Sequence, residues 1–131
     1  MSDFKRHNFK KLKIWLMEME LSKITFDLTD TFPPYENYGL KSQMDRCSIS
    51  IPSNIAEGSS RTNKSFSHFL DIALGSSFEL QTQFLLATHR KYLTLMIVKY
   101  LKIKLKNFKK QQWFFKIHCN NKNLSSICLS S

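Results

Sequence analysis

Residues that bend or cross-link a chain are scarce in this sequence. Its 131 residues include only three glycines, three prolines and three cysteines. β-Sandwiches, barrels and flexible linkers need turn residues far more often, so this scarcity argues against them. Three cysteines cannot all pair with one another, which favours reduced thiols over a disulfide framework. The length favours a single domain.

Long apolar runs are missing as well. The longest candidate, residues 93–105, is interrupted by Lys99, Lys102 and Lys104, so no transmembrane helix is expected. The first residues, MSDFKRHNFKKLK, lack the apolar core of a secretion signal. We therefore expect a cytoplasmic protein that has no membrane partner.

Sequence patterns of common catalytic and metal centres are also lacking. The four histidines do not stand at metal-ligand spacing from one another or from the cysteines. There is no glycine-rich phosphate loop, and no Glu-x-x-His pair of the kind that holds two metal ions in a helical bundle. We expect no cofactor, no bound metal and no enzymatic activity.

Acidic residues are absent from the last third of the chain. The net charge is +10, and residues 91–131 contribute nine lysines and no Asp or Glu. Residues 1–90 are nearly neutral by comparison. A basic segment of this kind is typical of proteins that bind nucleic acid or an anionic membrane.

Apolar residues recur at helical spacing in four segments, which predicts an all-α protein. Short connections predict an antiparallel, up-down four-helix bundle over residues 1–110. The predicted helices cover residues 11–31, 36–59, 64–90 and 95–110. Their predicted core stripes are Ile14, Met17, Leu21, Ile24 and Leu28; then Leu40, Met44, Cys47, Ile51 and Ile55; then Phe66, Leu70, Ala73, Ser77, Leu80, Phe84 and Ala87; and finally Ile97, Leu101, Leu105 and Phe108.

Pro52 lies inside the second predicted helix. Because proline has no backbone N–H, we expect the helix to be interrupted or kinked there, with neighbouring serine hydroxyls on the freed carbonyl. Gly58 and the serines after it predict the helix end. We interpret a set of residues around this proline as architectural: Ser50, Pro52, Asn54, Glu57 and Gly58.

The middle of the chain carries a specific motif. Residues 32–61, FPPYENYGLKSQMDRCSISIPSNIAEGSSR, closely resemble the signature of the 23S rRNA-intervening sequence protein family, also called four helix bundle proteins. The segment SIPSNIAEG at 50–58 is its most distinctive part. FKKLKIW at 9–15 resembles the family's opening, and FLDIALGSSFELQTQFLLA at 69–87 resembles its third helix.

The resemblance implies a small all-α bundle that assembles into a homo-oligomeric ring, a pentamer. Members occur as reading frames within insertions in bacterial 23S rRNA genes and elsewhere in genomes. A related group, the accessory variability determinants of diversity-generating retroelements, shares the bundle and is thought to bind nucleic acid and a reverse transcriptase. No enzymatic activity is established for the family.

The last part of the chain departs from this resemblance, which stops after Thr94. Relatives continue with an amphipathic helix that contains acids. One hypothesis is a reading-frame change near codon 94, and the alternative is a divergent, truly lysine-rich fourth helix. Residues 111–131 are predicted to form an atypical, disordered tail.

Basic residues, many of them near the first helix, are the candidate contacts to RNA or DNA. Assembly of several subunits into a ring would repeat a modest basic cluster by symmetry. The phosphate contacts would then add up and make binding steeply salt-dependent. A solvated face that aids solubility is an equally open interpretation. The candidates are Lys5, Arg6, Lys10, Lys11, Lys13, Arg46, Arg61 and Lys64.

Two other functions stay open. One is a structural ring module without nucleic-acid binding, in which aromatic residues off the central stripes line a subunit interface instead of completing the core. The other is a ribonuclease, since Arg61 and His68 match an Arg-x6-His pattern that resembles the catalytic motif of HEPN-type enzymes. The aromatic candidates are Trp15, Phe26, Phe69 and Phe78.

Overall fold

The computed structural model describes residues 7–119, and every regular element in that part of the chain is helical. The α-helices there are α1 (Lys13–Thr29), α2 (Leu40–Ser59), α3 (Asn63–His89) and α4 (Leu95–Cys119). Short 3-10 turns at Phe9–Lys11 and Pro34–Glu36 precede α1 and α2. The predicted all-α class is confirmed.

The four helices pack around one core. Helices that follow each other in the chain are in contact, and α4 also contacts α1. Within residues 7–119, α1 does not approach α3 and α2 does not approach α4. Each helix therefore occupies one corner of a four-helix arrangement, and each presents a separate outer face to solvent.

The predicted core stripes of α2 and α3 are confirmed. All seven predicted positions of α3 are buried, from Phe66 to Ala87. In α2 the stripe is buried except at its first position, Leu40, which is partly exposed. α2 runs without a break through Pro52, so the alternative of an interrupted helix is wrong, and a kink there stays a prediction.

The core stripe of α1 is rotated from its predicted position. Met17, Ile24 and Leu28 are only partly buried. Residues outside the predicted stripe face the core instead, and they are mostly polar. Hydrogen bonds within α1 and to α2 satisfy the hydroxyls among them, which is why polar side chains are tolerated there. The buried residues of α1 are Ile14, Glu18, Leu21, Ser22, Thr25 and Thr29.

α4 is longer than predicted and extends past residue 110 to Cys119, the last residue that the structure describes. Its helix continues because Gln112 and Phe115 are buried and extend the core stripe by two positions. Gln112 Nε2 donates a hydrogen bond to the carbonyl of Leu70 in α3. The expected disordered tail is therefore wrong for residues 111–119, while residues 120–131 lie outside the described part of the chain. The full stripe is Val98, Leu101, Leu105, Phe108, Gln112 and Phe115.

Candidate nucleic-acid interface

The segment before α1 is attached to the junction between α2 and α3. The backbone N–H of His7 donates to the carbonyl of Ser59 at 3.3 Å. Its imidazole ring lies 5.3 Å from the ring of Phe66 and 5.9 Å from that of Phe115. Burial against these rings lowers the pKa of His7 below its usual value. The contacts hold the start of α1 beside the end of α2.

This attachment brings most of the predicted basic residues to one end of the bundle. Lys10, Lys11 and Lys13 flank the start of α1, and Arg61 and Lys64 flank the start of α3. All five side chains are exposed. We call these five residues the basic end. A set of cations that converge from two segments presents more charge to a phosphate backbone than either segment alone.

The remaining predicted contacts lie elsewhere. Arg46 is exposed on the middle of α2, away from both helix junctions. Lys5 and Arg6 lie outside the described residues. A second basic surface that the predicted residue set omits runs along the outer face of α4, where Lys99, Lys102 and Lys106 are exposed.

Arg61 contacts two neighbouring side chains at the same end of the bundle. Its guanidinium lies 3.3 Å from Glu57 Oε1 and 5.5 Å from the centre of the Phe69 ring. His68 is exposed, and its ring contacts Phe69 at 5.9 Å between centroids. Among the described side chains, no hydrogen bond or ring contact joins Arg61 to His68. The structure thus does not bring the two ribonuclease candidates into direct contact.

The carbonyl freed by Pro52 finds its partner on another helix. Proline has no N–H to donate to Ser48, four residues earlier, so that carbonyl needs another donor. Ser22 Oγ of α1 supplies it at 2.9 Å. The expectation that a neighbouring serine of α2 does this is wrong, because the freed carbonyl lies where α1 packs against α2. The bond ties the motif to the rest of the bundle.

The other motif residues fasten α2 to itself and to α3. Asn54 Nδ2 donates to the carbonyl of Ser50 at 2.7 Å, and Ser50 Oγ lies 3.0 Å from Ser76 Oγ on α3. At Gly58, an added Cβ would stand 2.7 Å from the Cβ of Phe69. Gly58 therefore lies inside α2, where it permits close packing of α3, one residue before the helix ends at Ser59.

A buried carboxyl group lies in the core of the bundle. Glu18 is 1% exposed, and its Oε2 atom has no hydrogen-bond partner among the described residues. Desolvation raises the pKa of Glu18 to about 8, and the charge of Lys109 on α4 partly opposes this rise. Burial also raises the pKa of Cys47 to about 12, a rise to which Glu79 and Glu18 contribute. At neutral pH both groups favour their protonated forms.

The connection between α1 and α2 meets the connection between α3 and α4 in a polar cluster that sequence reasoning missed. Glu36 Oε2 accepts from the backbone N–H of Leu40 at 2.8 Å, and its Oε1 accepts from the Tyr92 hydroxyl at 3.0 Å. The Tyr35 and Tyr92 hydroxyls lie 2.9 Å apart. Arg90 lies 3.6 Å from Glu36 Oε1. These bonds hold the pKa of Glu36 below its usual value, with the Leu40 N–H as the largest cause.

Two other kinds of site are not found in the part of the chain that the structure describes. No three His, Cys, Asp or Glu side chains there are arranged to hold a metal ion. None of the helices described combines the length and the apolar character that crossing a bilayer requires.

The fold and the basic end define a class: a small all-α bundle with a cationic end and a proline-containing second helix. The sequence profile of the 23S rRNA-intervening sequence protein family matches residues 10–112. This match covers most of the chain, so the protein belongs to that family. The match also passes Thr94, which corrects the expectation that the resemblance stops there. A search among curated proteins gives no match.

Proposed function

We propose that this protein is a non-enzymatic, cytoplasmic four-helix bundle that associates with RNA or DNA through its basic end. The observation that carries the proposal is the convergence of Lys10, Lys13 and Lys64 with their neighbours, from two chain segments, at one end. Exposed lysines bind phosphates through charge and release counterions, which requires no cofactor. Family membership supports the proposal, since the family is named for its place in ribosomal RNA genes.

The test is a binding titration with labelled single-stranded RNA and with duplex DNA. The triple variant Lys10→Gln, Lys13→Gln, Lys64→Gln is compared with Lys99→Gln, Lys102→Gln, Lys106→Gln, which removes the same charge from α4. The proposal expects the first variant to lose most of the affinity and the second to lose little. A loss of affinity in the α4 variant alone would show that the interface lies on α4. A wild type that binds neither nucleic acid would contradict the proposed function itself.

The topology that we propose for the bundle is antiparallel and up-down. Contacts between α1 and α2 pair Ser22 with Ser48 and Thr29 with Asp45. Between α3 and α4, Gln81 is paired with Lys109 and Leu70 with Gln112. In each of these two helix pairs, the contacts move forward along one helix as they move backward along the other. This supports an antiparallel orientation of the two helices. The same proposal includes a bend of α2 at Pro52.

A structural ring module is the second candidate function, and a specific surface favours it. The outer face of α3 exposes Ile72, Phe78, Leu85 and Leu86. Gly75 lies among them, and no atom of the described chain lies within 4 Å of the place where its Cβ would stand. Contiguous apolar patches on a protein surface mark contact sites.

Sedimentation equilibrium tests the ring directly. We propose a homo-pentamer, so the expected mass is five times the 15.4 kDa of one chain. Leu85→Lys should lower the assembly state, whereas Ile103→Lys, on the outer face of α4, should leave it unchanged. A monomeric wild type at the concentrations used for nucleic-acid binding would contradict the ring.

A further inference from the structure

We propose that the cluster at the meeting of the two connections is a stacking platform for unpaired nucleobases. We call the exposed residues of these two connections, Tyr35, Tyr38, Arg90 and Lys91, the tyrosine end. The inference rests on the proposed function and adds to it a class of ligand, single-stranded nucleic acid, and a second contact surface. This surface lies where α1 ends and α2 begins, whereas the basic end lies where α1 begins.

The two tyrosine rings are exposed far beyond what the fold requires. Tyr38 is 100% exposed and Tyr35 is 71% exposed. The ring of Tyr38 makes no hydrogen bond or ring contact within the described part of the chain. Removing it therefore costs the bundle no contact. Flat exposed rings can stack on any nucleobase, because every base has a π-face.

The loop that carries these rings is held in one shape. Glu36 caps the start of α2 through the N–H of Leu40 and accepts from Tyr92 of the other connection. At Gly39 an added Cβ would stand 2.7 Å from Glu36 Oε2, so a larger residue there would displace the carboxylate that accepts from Leu40. Because the loop backbone is already ordered, a ligand that stacks on its rings does not have to order the loop as well, which lowers the entropy cost of binding.

Two cations lie on the connection that meets the tyrosine loop. Arg90 and Lys91 are exposed, and Lys91 adopts a φ of 64° in the turn that follows α3. Glu36, the acid of this cluster, is buried and engaged by Leu40, Tyr92 and Arg90. Asp30, at the end of α1, is paired with Lys41 at 3.1 Å. Stacking rings beside cations are the combination that binds single strands.

The test measures binding of a labelled oligouridine single strand and of a duplex of the same length. Tyr38→Ala should weaken single-strand binding roughly tenfold, in the range that stacking of one base contributes. Tyr38→Phe should retain wild-type affinity, because it keeps the ring. The matched control is Tyr100→Ala on α4, a tyrosine 49% exposed outside the cluster, which should bind like the wild type. Duplex binding should be the same for all four proteins.

The outcomes separate this inference from the proposed function. If the wild type binds neither nucleic acid, the proposed function fails and the inference fails with it. If binding depends on Lys10, Lys13 and Lys64 but Tyr38→Ala matches the wild type, only the inference is overturned. Equal loss of duplex and single-strand binding in Tyr38→Ala would also overturn it.

A lipid surface is the other partner to be tested, because Leu95 and Met96 are exposed at the start of α4. Wild type and Tyr38→Ala are sedimented with vesicles of phosphatidylserine and phosphatidylcholine. The inference expects the wild type and Tyr38→Ala to sediment with the vesicles to the same extent. Tyr38-dependent vesicle binding without single-strand binding would overturn it.

Discussion

Glu18 illustrates, at the scale of a single residue, how the core departs from the apolar pattern of the sequence. It lies in α1 between apolar neighbours, yet it is almost fully buried with one oxygen unpaired. Apolar spacing included Met17 in the predicted core stripe and left Glu18 out of it. Periodicity could not reveal the difference, because Ser22, Thr25 and Thr29 face the core on the same side and are satisfied by hydrogen bonds to carbonyl and carboxylate oxygens.

The first prediction concerns pH. The pKa of Glu18 rises from 4.5 to about 8 on folding, so the folded state holds a proton that the unfolded state has released between these values. The free energy of unfolding should therefore fall as the pH rises from 4.5 to 8. At about 1.4 kcal/mol for each pKa unit, the total loss is of the order of several kcal/mol. Urea melts across this range measure it.

Glu18→Gln should flatten this dependence and stabilise the protein at pH 8. The control is Glu20→Gln on the same helix, whose carboxylate is exposed and lies 3.1 Å from Lys104. That substitution should leave the slope with pH nearly unchanged. A wild-type stability that rises between pH 4.5 and 8, with no effect of Glu18→Gln, would contradict the buried protonated carboxyl.

The second prediction compares two glycines. Gly58→Ala places a methyl group 2.7 Å from Phe69 Cβ, and such overpacking costs about 1–3 kcal/mol. Gly75→Ala meets open space inside α3, where alanine is favoured over glycine by about 1 kcal/mol. Thermal melts should therefore move in opposite directions for the two variants. Equal shifts would show that Gly58 does not mark a close approach of α3.

At the scale of helices, the sequence predicts α2 and α3 well and the helix ends less well. The stripes from Met44 to Ile55 and from Phe66 to Ala87 are regular and apolar, so their spacing alone identifies the buried faces. The start of α2 is later than predicted, because Pro34–Glu36 forms a separate 3-10 turn. The partner of the carbonyl freed by Pro52 could not be predicted, since it comes from another helix.

The third prediction tests that interhelical bond. Ser22→Ala leaves the Ser48 carbonyl buried without a donor, which should cost about 1–3 kcal/mol of unfolding free energy. In a Pro52→Ala background the N–H of residue 52 can serve Ser48, so the same substitution should cost much less. Chemical denaturation of the four proteins in the cycle measures the coupling. Ser53→Ala, an exposed serine beside the proline, should be nearly neutral in both backgrounds.

The fourth prediction concerns the part of α4 beyond residue 110. Phe115 is 6% exposed and packs with its ring centre 5.1 Å from that of Phe66. Phe115→Ala should lower the unfolding free energy by about 3–5 kcal/mol. Trp113→Ala is the control, because Trp113 is 61% exposed and should change stability little. Equal effects would mean that α4 does not complete the core there.

At the scale of the whole molecule, α4 bears on the origin of the basic C-terminal part. Its core positions from Val98 to Phe115 keep heptad spacing over the length of the helix, and the family profile extends to residue 112. A chance reading frame has no reason to supply a core stripe in register with three other helices. These two observations argue against a reading-frame change near codon 94, which sequencing of that codon region tests directly.

The candidate interface was predicted from the sequence only in part. Clusters of lysine are visible in any sequence, but their convergence with Arg61 and Lys64 depends on how the segment before α1 attaches to Ser59. The tyrosine end was not predicted, because its cluster joins residues 35 and 92, far apart in the chain. A conspicuous signal was available in the run YENYG, where two tyrosines flank the acid that caps α2.

The most direct test of nucleic-acid binding through the basic end is the salt dependence of affinity for a single strand. The wild-type logarithm of the association constant should fall linearly with the logarithm of salt concentration. Each phosphate contact to a single strand contributes a slope of about −0.7, so removing Lys10, Lys13 and Lys64 should make the slope shallower by about two. A wild type that does not bind at low salt, or a variant whose slope equals that of the wild type, would contradict the account.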